Sequence, residues 1–163
     1  MSIDAPPTLR RAERGDLPQV IALIRGLAEF EKLPGPDDEA AARFTEDACG
    51  PSPRFELDVA DLRGEIVGYA AWFMTYSTFL ARPSLYLEDL YVRPDRRGRG
   101  IGAAFLRRLA GVALERGCGR FEWTVLDWNT RAQKFYRSVG ARIMTEWQGC
   151  RVEGDALERL GRG

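Results

Sequence analysis

The stretch 85–116, "LYLEDLYVRPDRRGRGIGAAFLRRLAGVALER", runs an apolar segment into a glycine–arginine loop and then into a helix. Residues 85–92 are apolar on both faces, the pattern of a strand in a covered sheet. A helix is expected from about Ile101 to Arg116, stopped by Gly117. A covered strand, a bendable joint and a helix in succession require layered α and β structure, which excludes an all-helical bundle or a pure β-sandwich. The joint itself alternates Gly98, Gly100 and Gly102 with or after Arg93, Arg96, Arg97 and Arg99. Each glycine costs chain entropy unless its conformational freedom is used.

The rest of the chain extends that pattern. "TLRRA" (8–12) reads as a first strand. Asp16 caps a helix with Val20, Leu23, Ile24, Leu27 and Phe30 at helical spacing, ended by "LPGPDD". A second, short helix is expected over 37–47. "RFELDVADL" and "GEIVGYAAWFMTY" read as a hairpin turning at Arg63-Gly64. "RFEWTVLD" (120–127) is a further strand, and Asn129 caps a helix closed by Gly140. The remainder reads as a hairpin and a short tail. The expectation is one α+β domain, 1–163, around a single mixed sheet.

Composition decides what this domain can do. Lysine plus arginine and aspartate plus glutamate both total 24, so the formal charge is zero. A general nucleic-acid binder carries a global basic excess, so the loop arginines need a local explanation. No apolar run approaches the roughly 18 residues of a membrane span, and the N-terminus has no secretory h-region. Cys49, Cys118 and Cys150 are scattered without metal-ligand spacing, which points to reduced thiols, a cytoplasmic protein and no metal site. Histidine is absent, which removes triads, cysteine–histidine dyads and most zinc sites. Acid–base chemistry falls to carboxylates, tyrosine, lysine or cysteine.

Three readings of the loop compete. It is a helix start with solvated arginines, a dinucleotide fingerprint (Gly98, Gly100, Ala103) or a pyrophosphate cradle. The fingerprint needs a tight turn directly after the strand, and Pro94 and further loop residues intervene. The cradle uses all three glycines: successive N–H groups converge on an anion at a helix N-terminus. The adjacent Glu88 and Asp89 are the second anomaly, since burying carboxylates in an apolar strand is costly. Either arginines pair with them, or a bulge opens the sheet and exposes them in a cleft, where a carboxylate of raised pKa serves as base. In "LDWNTRAQKFYRSVGA", Asn129 is a cap and Tyr136, beside Phe135, is on its own an aromatic core residue.

Arg97-x-x-Gly100-x-Gly102 after an apolar strand resembles the acyl-CoA signature of the GNAT acetyltransferases. "LIRGLAEFEKL", "IVGYAAWFMTYST", "LYLEDLYVRPDRRGRGIG" and "LDWNTRAQKFY" are similar to the spermidine/spermine and thialysine acetyltransferase branch, from Leu9 to Leu160. That resemblance implies a mostly antiparallel mixed sheet of about six to seven strands with about four helices. It implies acetyl-CoA as cofactor, held by Leu90, Tyr91 and Val92, by Arg97, by Gly98, Arg99, Gly100, Ile101, Gly102 and Ala103, and by Asn129, Thr130, Arg131 and Ala132. Tyr136 becomes the general acid and Glu88 the base through water; Phe30, Glu31, Ser77, Glu88 and Asp89 fall on the amine side. Polyamine enzymes carry aspartate where this chain has Ser77, which favours a thialysine-like amine. The expected activity is direct acetyl transfer to a small primary amine by a homodimer, with no nucleic-acid or membrane partner. The alternatives are a non-catalytic acyl-CoA-binding domain and a protein lysine or N-terminal acetyltransferase.

Overall fold

Strands β2 (Glu56–Leu62) and β3 (Glu65–Ser77) meet at a two-residue turn in which Arg63 (φ +56°) and Gly64 (φ +89°) are both left-handed. That geometry matches the right-handed twist of the strands it joins, so the hairpin forms where Arg63-Gly64 places it. The computed structural model describes residues 5–163, in two compact units that divide between Thr124 and Val125. The first unit holds one sheet in the order β1 (Thr8–Arg11), β2, β3, β4 (Arg82–Val92), β5 (Arg120–Trp123). Neighbouring strands are antiparallel except β4 and β5, which are parallel.

Helix α1 (Leu17–Glu31) lays Leu17, Val20 and Leu23 on one sheet face, against Leu57, Val59, Ile66, Tyr69, Ala71 and Tyr91. Asp16 stands at its start without capping it. The carboxylate accepts instead from the Glu13 N–H at 2.8 Å and from Arg10 at 2.7 Å. Helix α2 (Asp38–Cys49) is capped by Asp37, whose Oδ1 accepts from the Ala40 N–H at 2.8 Å. It adds Phe44, Ala48 and Cys49 to the same core.

Helix α3 (Ile101–Glu115) buries Ile101, Phe105, Leu109 and Ala113, one stripe at helical spacing. It lies on the opposite sheet face, where a Cβ on Gly68 would come within 3.4 Å of the Phe105 ring. Asp58, fully buried on β2, accepts from Arg108 Nε at 2.8 Å and faces Arg11 at 3.3 Å. A buried carboxylate is tolerated only with such partners, and this one ties α3 to the sheet. The helix start that follows the glycine loop is thereby held against β2.

The expected mixed, mostly antiparallel sheet is present, with details that differ from the sequence reading. Among the described residues the sheet has five strands rather than six to seven, and there are five α-helices rather than about four. β5 ends at Trp123 instead of Asp127, because its partner strand bulges at the matching level. In the second unit, residues 141–153 form no strand: their apolar side chains Met144, Trp147 and Val152 are exposed, and no ladder is available to them among the described residues. The tail after them is helical. It forms α5 (Gly154–Arg162), where Leu157 and Leu160 recur at helical spacing.

Candidate active site

Asp89 stands opposite Ala71 and Leu87 opposite Trp72, so Glu88 has no partner residue on β3 and is the extra residue of a β-bulge. The parallel ladder to β5 stops at the same level, at Leu87 and Trp123. Beyond it β4 runs on with one edge paired and the other released. The Arg93 N–H donates to the Val67 carbonyl at 2.9 Å, so alternation turns the polar groups of Tyr91 toward β3 and those of Leu90 and Val92 to the released edge. The Val92 oxygen accepts there from Arg97 Nε at 2.8 Å. Leu90 and Val92, two of the three strand positions expected to hold acetyl-CoA, thus share the edge that the sheet leaves open.

The glycine loop continues from that edge. Gly98 (φ +76°) and Gly100 (φ +80°) are left-handed, and a Cβ at either would meet nothing within 4 Å. The first helical bond of α3 runs from the Ala104 N–H to the Gly100 carbonyl at 2.9 Å. The N–H groups of Ile101, Gly102 and Ala103 lie ahead of it, and Gly100 has no side chain to cap them. Open space over bare glycines, unspent N–H groups and the positive end of a helix dipole fit a diphosphate. The arginines divide differently. Arg93 bonds Asp95 at 2.8 Å and Glu65, and Arg96 faces Glu65 and Asp95 at 3.5 Å, so both are engaged in surface ion pairs. The Arg97 guanidinium lies 5.3 Å from the Tyr91 ring centroid and 5.6 Å from that of Phe30, on the last turn of α1.

The two carboxylates have separate surroundings. Glu88 is exposed on the bulge, whereas Asp89 is half-buried on the α1 face, and its Oδ2 accepts from the Tyr69 hydroxyl at 3.2 Å. Burial pushes the Asp89 carboxyl up to about 6, helped by the charges of Glu88 and Glu31 and opposed by the Tyr69 hydrogen bond. Burial also pushes the Tyr69 phenol up, so it stays a donor. Glu31 ends α1 next to Phe30, which brings both expected α1 residues to the side of the sheet that holds Asp89. Tyr69 was not legible as a site residue: in "VGYAAW" it reads as one more buried strand position.

Ser77 is buried at the end of β3, and its hydroxyl accepts from the Leu80 N–H at 3.3 Å, closing the turn into β4. In the second unit, Asn129 caps α4 (Thr130–Ser138), its Oδ1 accepting from the Ala132 N–H at 3.2 Å. Thr130, Arg131 and Ala132 form the first turn of that helix. Tyr136 packs beside Phe135, ring centroids 5.4 Å apart, and burial pushes its phenol up. Among the described residues no group of three or more acidic or cysteine side chains is placed to hold a metal ion, and no helix is long and apolar enough to cross a membrane.

A strand that bulges at a carboxylate, opens one edge and feeds a glycine loop at a helix start defines an acetyltransferase fold. The chain belongs to the acetyltransferase (GNAT) family, whose model matches residues 20–141. A thialysine N-epsilon-acetyltransferase of Sus scrofa is 39% identical over 163 residues, covering 93% of this chain and 95% of the relative. The spermidine/spermine N(1)-acetyltransferase-like protein 1 of Homo sapiens is 32% identical over 148 residues, 86% of this chain and 21% of that one. Among solved structures, an integron cassette protein from the mobile metagenome of V. cholerae superposes with a TM-score of 0.82 at 23% identity, covering 96% and 98% of the two chains.

Proposed function

We propose that this chain is an acetyl-CoA-dependent N-acetyltransferase for a primary amine of a small molecule, of the thialysine-like amino acid or short diamine class. The observation that carries the reading is the released β4 edge running directly into the glycine loop, with Glu88 and Asp89 at the point of release. Acetyl-CoA supplies the acetyl group as a thioester. Gly98 to Ala103 would hold its diphosphate, and the edge at Leu90 and Val92 would hold the chain leading to the thioester. The Leu90 N–H is available to bear the charge that develops on the acetyl oxygen.

An amine is mostly protonated at neutral pH and must lose a proton before it attacks. Glu88, exposed on the bulge, takes that proton through water. Tyr136 is assigned as donor to the departing thiolate on the likeness of its helix to the family, and its raised pKa keeps the proton available. Cys118 belongs to the turn between α3 and β5, away from the open edge, which favours direct transfer over a covalent acyl-cysteine. The relatives named as thialysine acetyltransferases support a short amino-acid amine, and so does Ser77, a neutral hydroxyl committed to a turn. We further propose a homodimer, supported by the exposed Trp147, Leu157 and Leu160 near the C-terminus; sedimentation at micromolar protein tests it.

The deciding experiment mixes the protein with acetyl-CoA and a panel of amines and follows free thiol. Thialysine should be acetylated with higher kcat/KM than spermidine. Binding of acetyl-CoA without thiol release for any amine would leave a coenzyme-binding domain in place of an enzyme.

A further inference from the structure

Asp89 has an arrangement that structure alone does not require. It is a half-buried carboxylate on the core face of the sheet, and among the described residues no arginine or lysine pairs with it. The groups that act on it are Tyr69 from β3, Glu88 from β4 and Glu31 from α1, and Tyr91 of β4 packs against the Tyr69 ring. The nearby cation, Arg97, is committed elsewhere, with its Nε on the Val92 carbonyl and its plane against Tyr91 and Phe30. A buried charge without a counter-charge is unfavourable unless a ligand supplies one. Tyr69 is the group that holds it. That side chain is fully buried, with its ring 6.4 Å from the Tyr91 ring and its hydroxyl 3.2 Å from Asp89 Oδ2. A phenylalanine would fill the same core site, so the hydroxyl serves the carboxylate.

We infer that Tyr69 is a positioning residue for the amine substrate: its hydroxyl fixes the Asp89 carboxylate by Oδ2 and leaves Oδ1 to receive the substrate's ammonium. The inference rests on the amine acetyltransferase reading above. It divides labour between two neighbouring carboxylates. Asp89 binds the cation, and Glu88, on the exposed bulge, removes its proton once it is bound. The bulge makes this possible, because without it residues 88 and 89 would point to opposite faces of one flat strand.

The test compares wild type with Tyr69→Phe, which keeps the ring and its packing. The Asp89 side-chain carboxyl carbon is followed by NMR against pH, with Asp89→Asn assigning the signal. Wild type should titrate near 6, and Tyr69→Phe higher, because a hydrogen bond that favours the ionised form is lost. In kinetics, Tyr69→Phe should raise the amine KM by about five- to tenfold with kcat little changed, the size of one ordinary hydrogen bond. The acidic limb of kcat/KM should move up with the NMR titration, and in an Asp89→Asn background Tyr69→Phe should have no further effect. If the NMR titration moves while KM and the acidic limb stay in place, the hydrogen bond exists but positions nothing, and the inference is overturned. An unmoved titration overturns it as well. Absence of thiol release in wild type with every amine overturns the functional reading itself, a result visible before any variant is made.

Discussion

The two halves of β4 are one strand with two different lives. From Ser84 to Leu87 it is paired on both edges, with β3 and β5, and Ser84, Leu85 and Leu87 are buried. From Asp89 to Val92 it is paired on one edge only; it carries an uncompensated carboxylate and feeds a loop of left-handed glycines. The first half is built for stability. The second carries exposed backbone and charge that a folding optimum would avoid, and such local conflicts mark functional sites. Glu88 is the boundary between them.

Substitutions on the two sides should therefore separate activity from stability. The largest effect belongs to the boundary: Glu88→Gln should lower kcat/KM by roughly 10²- to 10⁴-fold, the range of a general base, with the melting temperature unchanged. A large fall in melting temperature would make Glu88 structural. In the closed half, Leu87→Ala should cost about 2–5 kcal/mol in urea unfolding by leaving a cavity, while the folded fraction keeps its kcat. A loss of kcat without loss of stability would erase the contrast between the halves.

Gly100→Ala is next in size. It places a methyl in the open cradle and should remove the stabilisation by acetyl-CoA, which at a hundredfold excess over Kd is about 2.7 kcal/mol. Gly64→Ala imposes a comparable left-handed strain in the β2–β3 turn, also with open space, and should leave the acetyl-CoA shift intact. Equal loss in both variants would mean that strain, not occupancy of the cradle, is responsible. The smallest effect has the opposite sign. The Asp89 carboxyl is raised in the folded state, so its contribution is fully present below the unfolded value near 3.8 and is lost as pH rises through about 6. Asp89→Asn should then stabilise the protein at pH 7 by roughly 1–2 kcal/mol, allowing for partial exposure, and lose that advantage below about pH 4. Destabilisation at pH 7 would show that the charge is compensated after all.

Part of this site was legible in the sequence. Two carboxylates in an apolar strand offered a bulge as one of two readings, and β4 does bulge there; the glycines ahead of the helix are left-handed over open space, as the cradle reading expects. What the strand pattern could not carry was the fate of each side chain. Glu88 and Asp89 were read either as paired with arginines or as exposed together by a bulge; Glu88 is exposed, while Asp89 is half-buried with its Oδ2 accepting from the Tyr69 hydroxyl. Arg97 was read with the cradle, and its guanidinium turns back to Val92 and the aromatic rings. The C-terminal hairpin failed because alternation over a short exposed stretch says little without a partner strand, and the helical spacing of Leu157 and Leu160 was missed.

The sequence by itself determined the local conformations: left-handed glycines, the Arg63-Gly64 turn, helix spacing and the Asn129 cap, each set by a side chain acting on its own backbone. Only the tertiary structure decided which backbone edge stays open and which carboxylate acquires a neutral partner. Those depend on where β5 leaves β4 and on the reach of Tyr69 from the neighbouring strand, contacts between residues far apart in the chain.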